Sequence, residues 1–248
     1  MRRLLDIRRT ALAGAATLAA LALSAVPAYA VVPGYDMDET SGSTMVGSGG
    51  APDGKISGDV NLGVSGVTGT AYAFNEDVGS CDSSWRVTGS GAVTIPASSA
   101  FTVGTQPFSF SLWLNTTAVP GADSGASADC DFDVWRRSGN WKLEVIPQGT
   151  TPNRYGVPKC VWKGVVNGTK VGVALKSKAA VVTDGNWHQV TCSRTAAGEQ
   201  LIVDGSVRAS SPTNVGSITT NATIYVGTQE AGVDYYEGRL DDLTFSVG

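Results

Sequence analysis

The chain has a single histidine, His188, and four cysteines, with no Cys-x-x-Cys pair in its 248 residues. A zinc or dithiol redox centre needs His or Cys clustered at short spacing, so neither has much to stand on. Clustered basic charge is missing as well. Lys and Arg number 18 against 22 Asp and Glu, and after residue 30 they stand singly or in pairs such as Arg136-Arg137. Nucleic acid and anionic membranes are therefore poor partners. No window holds helical apolar spacing for more than two turns, which excludes a helical bundle. Beyond residue 30 no apolar run is long enough to span a bilayer.

The first 30 residues read as a secretory leader and leave the fold argument. Arg2, Arg3, Arg8 and Arg9 form a basic head, Ala11 to Val26 is an uncharged Ala/Leu-rich run, and Ala28-Tyr29-Ala30 is a small-x-small cleavage site behind Pro27. Arg8-Arg9-Thr10-Ala11-Leu12 faintly resembles a twin-arginine signal. That route carries folded chains, whereas disulfides form outside the cytosol. Cleavage after Ala30 leaves residues 31–248, with 14 basic and 21 acidic side chains, a net of about −7. That length suits one all-β domain. The expected product is an extracellular monomer, free or loosely attached to the cell wall.

What is present is glycine, 31 residues of it, and alternation. Phe108, Phe110, Leu112 and Leu114 share one parity, with Ser109, Ser111 and Trp113 on the other. Leu201 and Val203 flank Ile202, and Leu243, Phe245 and Val247 alternate with Thr244 and Ser246. Period two over four to eight residues marks half-buried antiparallel strands. Turn signals recur at Ser138-Gly139-Asn140, Asn167-Gly168, Asp184-Gly185-Asn186 and Asp204-Gly205. That rhythm predicts an all-β, two-sheet antiparallel β-sandwich. The Gly/Ser-rich stretch 41–54 reads as a loop after a first strand around Tyr35. Asn167-Gly168-Thr169 and Asn221-Ala222-Thr223 fit a glycosylation pattern, but leader and composition are of bacterial type, so both read as turns.

Cys81, Cys130, Cys160 and Cys192 form an even set in an exported chain, which predicts two disulfides with three connectivities open. A glycosidase needs two carboxylates flanking the scissile bond. Asp129, Asp131 and Asp133 lie at i, i+2 and i+4 on one strand face, and a solvated face is the expectation for them. Asp241 shares the parity of Leu243, Phe245 and Val247. An inward carboxylate needs partners, either backbone N–H groups or a cation. His188 shares parity with Val190 and Cys192 and reads as a packed, hydrogen-bonded histidine. Trp135, Trp141 and Trp162 come from successive strands and are expected to cluster.

The ordered segments Trp187-His188-Gln189-Val190-Thr191-Cys192, Leu201-Ile202-Val203-Asp204-Gly205, Ile224-Tyr225-Val226-Gly227 and Glu237-Gly238-Arg239-Leu240-Asp241-Asp242 resemble the C-terminal half of the laminin-G-like, concanavalin-A-like jelly-roll family. Phe108 to Leu114 and Ala71-Tyr72-Ala73-Phe74-Asn75 resemble two of its upstream strands. The resemblance covers nearly all of the chain after residue 30. It implies a jelly roll, and it implies a ligand only weakly, because this fold hosts lectins, adhesion modules and glycosidases.

Small exported relatives pair cysteines at positions matching Cys160 and Cys192, which implies that bridge and leaves Cys81 with Cys130. The family commonly binds calcium, for which the resemblance implies Asp241 with Asn75 and Asp77, hard oxygen ligands of the type Ca²⁺ takes. A pentraxin-like ligand loop corresponds to residues 228–236. Gln229, Glu230, Asp234, Tyr235 and Tyr236 are its candidate ligand residues, with Trp113 as a candidate stacking platform. None of the six glutamates begins the Glu-x-Asp-x-Glu strand of the related glucanases. The expectation is a secreted, non-enzymatic module that binds carbohydrate or a cell surface. The alternatives are a protein-interaction domain without sugar binding and, third, a diverged glycosidase.

Overall fold

A computed structural model of the chain describes residues 32–74, 89–121, 130–150, 152–230 and 233–248. The leader, Asn75, Asp77, Cys81 and Asp129 lie outside the described residues. In chain order the strands begin β1 (Gly34–Tyr35), β2 (Thr44–Met45), β3 (Gly54–Ser57), β4 (Val60–Ser65), β5 (Thr70–Phe74) and β6 (Ala92–Ile95). Next come β7 (Phe108–Asn115), β8 (Phe132–Arg137), β9 (Trp141–Gln148), β10 (Tyr155–Val166) and β11 (Thr169–Lys176). The last are β12 (His188–Thr195), β13 (Gly198–Val203), β14 (Ser206–Ser211), β15 (Ile224–Val226) and β16 (Gly238–Val247).

They form two antiparallel sheets. The first runs β14-β13-β12-β7-β16-β5-β4 with β1 beside β16, and the second runs β11-β10-β9-β8-β15-β6-β3-β2. The period-two reading of β7 holds: Phe108, Phe110, Leu112 and Leu114 are buried while the intervening residues are only partly so. The 41–54 stretch differs from expectation. It contains β2, which pairs Thr44 and Met45 with Lys55 and Gly54 as the sheet's outer strand.

Two hairpins show why their dipeptides stand where they do. Asn167 and Gly168 have φ of 48° and 79°, and Asp204 and Gly205 have 51° and 72°. Positive φ at both central residues is the primed turn whose twist matches the flanking strands, and Asn-Gly and Asp-Gly adopt it at least cost. These turns set the β10–β11 and β13–β14 registers.

Between the sheets lies the core. Trp135 and Trp141 meet edge to face at 5.6 Å, Trp162 pairs with Trp141 across β9–β10, and all three are buried. Phe110 and Phe245 extend the cluster from the first sheet. Cys160 of β10 and Cys192 of β12 join the two sheets through this core in the pairing that the family resemblance implied. Cys130 is also disulfide-bonded.

Among the buried polar residues are two arginines. Arg137 donates to the Phe101 and Ala222 carbonyls and to Asn221 Oδ1. Arg194 donates to the Gln106, Gly104 and Gly216 carbonyls and lies 4.7 Å from the Phe108 ring centre. Each guanidinium spends its donors on loop oxygens, which is how a buried charge is tolerated.

Candidate ligand-binding face

Antiparallel register puts paired residues on the same side of a sheet. On the second sheet, Phe132, Leu143, Val145, Cys160 and Trp162 face the core. The opposite, outer side therefore carries Asp133, Arg136, Lys142, Glu144, Lys159, Val161 and Lys163.

Asp133 and Glu144 are 0% exposed and Asp131 only 8%. The solvated face expected for the Asp131/Asp133 stripe is thus corrected. Residues 228–230 and 233–236 follow β15 alongside β8, where Asp133 N–H donates to the Asp234 carbonyl and Arg136 Nη1 donates to both Asp133 Oδ2 and Gln229 Oε1. Charged side chains from neighbouring strands, packed against one another, bury what alternation alone assigns to solvent. Glu144 forms ion pairs with Lys142 and Lys159, and Lys142 Nζ also lies 3.4 Å from Asp131 Oδ2 and 3.5 Å from Asp133 Oδ1.

Burial pushes the Asp131 carboxyl up to about 9, reinforced by its hydrogen bond to Glu144. Burial raises Asp133 too, against the pull of Lys142 and Arg136. Glu144 is also desolvated, but the bond from Asp131 and the two lysines hold it below its usual value. Asp131 and Glu144 therefore share one proton, and the lysine ammonium groups balance the remaining charge.

Among the described residues, Asp131, Asp133 and Asp234 are the carboxylates whose oxygens converge within 4.8 Å of one another. The Lys142 ammonium already stands against two of them. That spacing is also shorter than the gap a sugar and its water or nucleophile occupy between glycosidase carboxylates, about 5–10 Å. A pocket of about 210 Å³ opens beside the cluster, bordered by Arg136, Asn140, Lys142, Lys163 and Gln229.

A match to the model of the concanavalin A-like lectin/glucanases superfamily spans residues 87–246. The chain belongs to that superfamily. No curated protein sequence matches it significantly. One solved structure with the same fold is domain 4 of AbnA, a GH43 extracellular arabinanase from Geobacillus stearothermophilus, in complex with arabinotriose. It has 18% identity and a TM-score of 0.51, over 87% of this chain and 91% of that one. The binding domain of Paraclostridial Mosquitocidal Protein 1 matches at 13% identity and TM-score 0.55, over 87% of this chain and 48% of that one. Trypanosoma rangeli sialidase in complex with 2,3-difluorosialic acid matches at 14% and 0.51, over 90% of this chain and 31% of that one. This chain thus spans less than half of the latter two.

The remaining candidate residues divide between faces. Gln229 and Asp234 join the acid cluster, and Glu230 accepts from Ser138 Oγ at 2.7 Å. Tyr235 and Tyr236, by contrast, are buried. Tyr236 packs on Phe74 and Phe132, and its hydroxyl donates to the Asn115 and Arg239 carbonyls, so it is a core residue and not a ligand platform. Trp113 is half-buried on the outer side of the first sheet, the other side of the sandwich. His188 bonds Asp204 and Asp184 through its two ring nitrogens. Burial disfavours its charge, but the two carboxylates outweigh that and raise its pKa.

Asp241 is buried, by a different route from the parity argument. Asp242 has φ of 50°, and the β7–β16 register shifts between Asp241 and Thr244, a bulge that reverses parity. Asp241 therefore pairs with Trp113 on the outer side, beneath the turn at residues 66–69. Its Oδ2 accepts the Val67 N–H at 2.7 Å, and burial pushes its carboxyl up to about 6 despite that bond. The described residues hold Asp241 through the turn backbone, while the other two proposed calcium ligands, Asn75 and Asp77, lie outside the described residues.

Asp241→Ala should cost about 1–3 kcal/mol through the backbone donors it strands. Asp242→Asn keeps a side chain tolerant of positive φ and should cost well under that. Urea unfolding of both variants checks the contrast, and equal losses would remove the capping role.

Proposed function

We propose that the protein is an exported, non-catalytic carbohydrate-binding module that takes its ligand on the outer face of β8–β10. The observation that carries this role is the open pocket bordered by Arg136, Lys142, Lys163 and Gln229, in which Arg136 and Lys142 are anchored by ion pairs and Gln229 by its bond from Arg136 before a ligand arrives. Fixed N–H donors facing an open pocket suit the oxygen-rich surface of a sugar, because little ordering cost remains on binding. The arabinotriose complex of the AbnA domain shows that another sandwich of this fold was solved with a saccharide. A non-catalytic role accords with carboxylates that spend their acceptor capacity on Lys142, Lys159 and a shared proton. Export accords with the leader-like first 30 residues and with the disulfides, which persist in oxidising compartments.

A glycan array probed with the exported protein, with calcium and with EDTA, tests this role. Binding to at least one glycan class is expected, without hydrolysis. Because Lys142 supplies cationic charge inside the acid cluster, binding should persist in EDTA. Binding to no glycan would overturn the role, and hydrolysis lost in Asp131→Asn would overturn its non-catalytic part.

A further inference from the structure

The outer face of the second sheet changes character along β10. At its acidic end, Lys142 and Lys159 are matched by Asp131, Asp133 and Glu144. Further along, Lys163 stands opposite Gly172 of β11, and Lys170 stands opposite Val165. Both lysines project from the same side and are diagonal neighbours, with backbones about 7–8 Å apart. Both are exposed, and neither has an ion-pair partner among the described residues. Gly172 places no side chain between them.

Here a second pocket, about 630 Å³, adjoins the first, and the two share Gly139, Asn140 and Lys163 in their walls. Together their linings include Arg136, Arg137, Lys142, Lys163 and Lys170 and no Asp or Glu. In a chain with four more acidic than basic side chains, this wall is a local reversal of charge. Arg136, Arg137 and Lys142 are occupied by protein acceptors, so Lys163 and Lys170 are the two cations left for a ligand. Across from them the larger pocket is lined by Ser217, Thr219 and Thr220, whose hydroxyls can both donate and accept.

On the basis of the carbohydrate-binding role above, we propose that this groove selects saccharides carrying carboxylate or sulfate groups. Lys163 and Lys170 meet the anionic groups, and the Ser217–Thr220 wall meets the sugar hydroxyls. Charge gives the preference for acidic over neutral glycans, and the hydroxyl wall separates a sugar from a bare polyanion.

Titration calorimetry of the exported protein is the test, using oligogalacturonate, a sulfated oligosaccharide, a neutral oligosaccharide of equal length and poly-glutamate. An acidic oligosaccharide should bind about tenfold more tightly than the neutral one, and the margin should shrink as salt is raised. Lys163→Glu and Lys170→Glu should each abolish most of that margin without moving the melting temperature, and Lys170→Glu, which lies outside the first pocket, should also leave the neutral ligand's affinity unchanged. Lys163→Gln/Lys170→Gln provides the same reading if a reversed charge disturbs the fold. The carboxylate and sulfate arms show which anion is preferred. Equal affinity for neutral and acidic sugars would overturn the charge selection and leave the carbohydrate role standing. Poly-glutamate binding as tightly as the acidic sugars would reduce the groove to bare electrostatics, and no binding by any saccharide would remove both proposals.

Discussion

Glu144→Ala should destabilise the protein by about 3–5 kcal/mol, the range for removing one member of a buried, hydrogen-bonded ion cluster. Its side chain is fully buried, ion-paired with Lys142 and Lys159, and hydrogen-bonded to Asp131. Its loss leaves two ammonium groups facing each other on adjacent strands and frees Asp131 to ionise. Glu144→Gln keeps the shape and one acceptor and should cost clearly less. A loss from Glu144→Ala under about 1 kcal/mol, as for an exposed pair, would show that solvent screens the cluster.

The same cluster sets a pH dependence whose sign is fixed. With Asp131 raised to about 9, the folded state holds a proton that the unfolded state has released across roughly pH 4 to 9. Asp131 therefore lowers stability progressively as pH rises through that window. The depressed Glu144 acts oppositely, but only below its ordinary carboxylate range, so it does not mask the trend above neutrality. In Asp131→Asn the amide keeps a donor toward Glu144 without a titrating proton. The fall in melting temperature between pH 6 and pH 9 should accordingly be shallower in this variant than in the wild type.

The face that carries this cluster was only partly legible in the sequence. Strand alternation identified β7 and β13 because one side of each meets the core and the other does not, which is the condition for a period-two signal. It also placed Asp131 and Asp133 on one side of β8. It could not show that residues 228–230 and 233–236 would lie alongside that strand, since the Asp133–Asp234 backbone bond links residues a hundred positions apart. A signal for the cluster was present but unused. Trp141-Lys142-Leu143-Glu144-Val145 alternates core residues with opposite charges, and its outward pair had to meet whatever its neighbouring strands presented. Asp241 shows the converse failure. Its burial was anticipated, but the positive φ of Asp242 moved it to the other side of the sheet, and a one-residue bulge leaves apolar spacing on either side intact.

The Cys160–Cys192 bridge should be among the most costly pairs of side chains to remove outside the aromatic core. It closes a loop of sequence separation 32, which in the chain-entropy account contributes about 3–4 kcal/mol. Its position adds a second reason. Cys160 lies one strand pair from Leu143 in the second sheet, and Cys192 lies opposite Phe110 in the first, so the bond ties the sheets where the Trp135–Trp141–Phe110 cluster packs. For a domain of this size each kcal/mol moves the melting temperature by about 2–4 °C. Cys160→Ala/Cys192→Ala should therefore melt roughly 10 °C lower than the wild type under non-reducing conditions. In reductant, with every bridge open in both proteins, most of that gap should close. If the gap persists in full, the loss comes from packing around the two sulfurs and not from the covalent tie. Non-reducing peptide mapping of the wild type fixes the assignment independently: a peptide joining Cys160 to Cys192 is expected, and one joining Cys130 to Cys160 would overturn it.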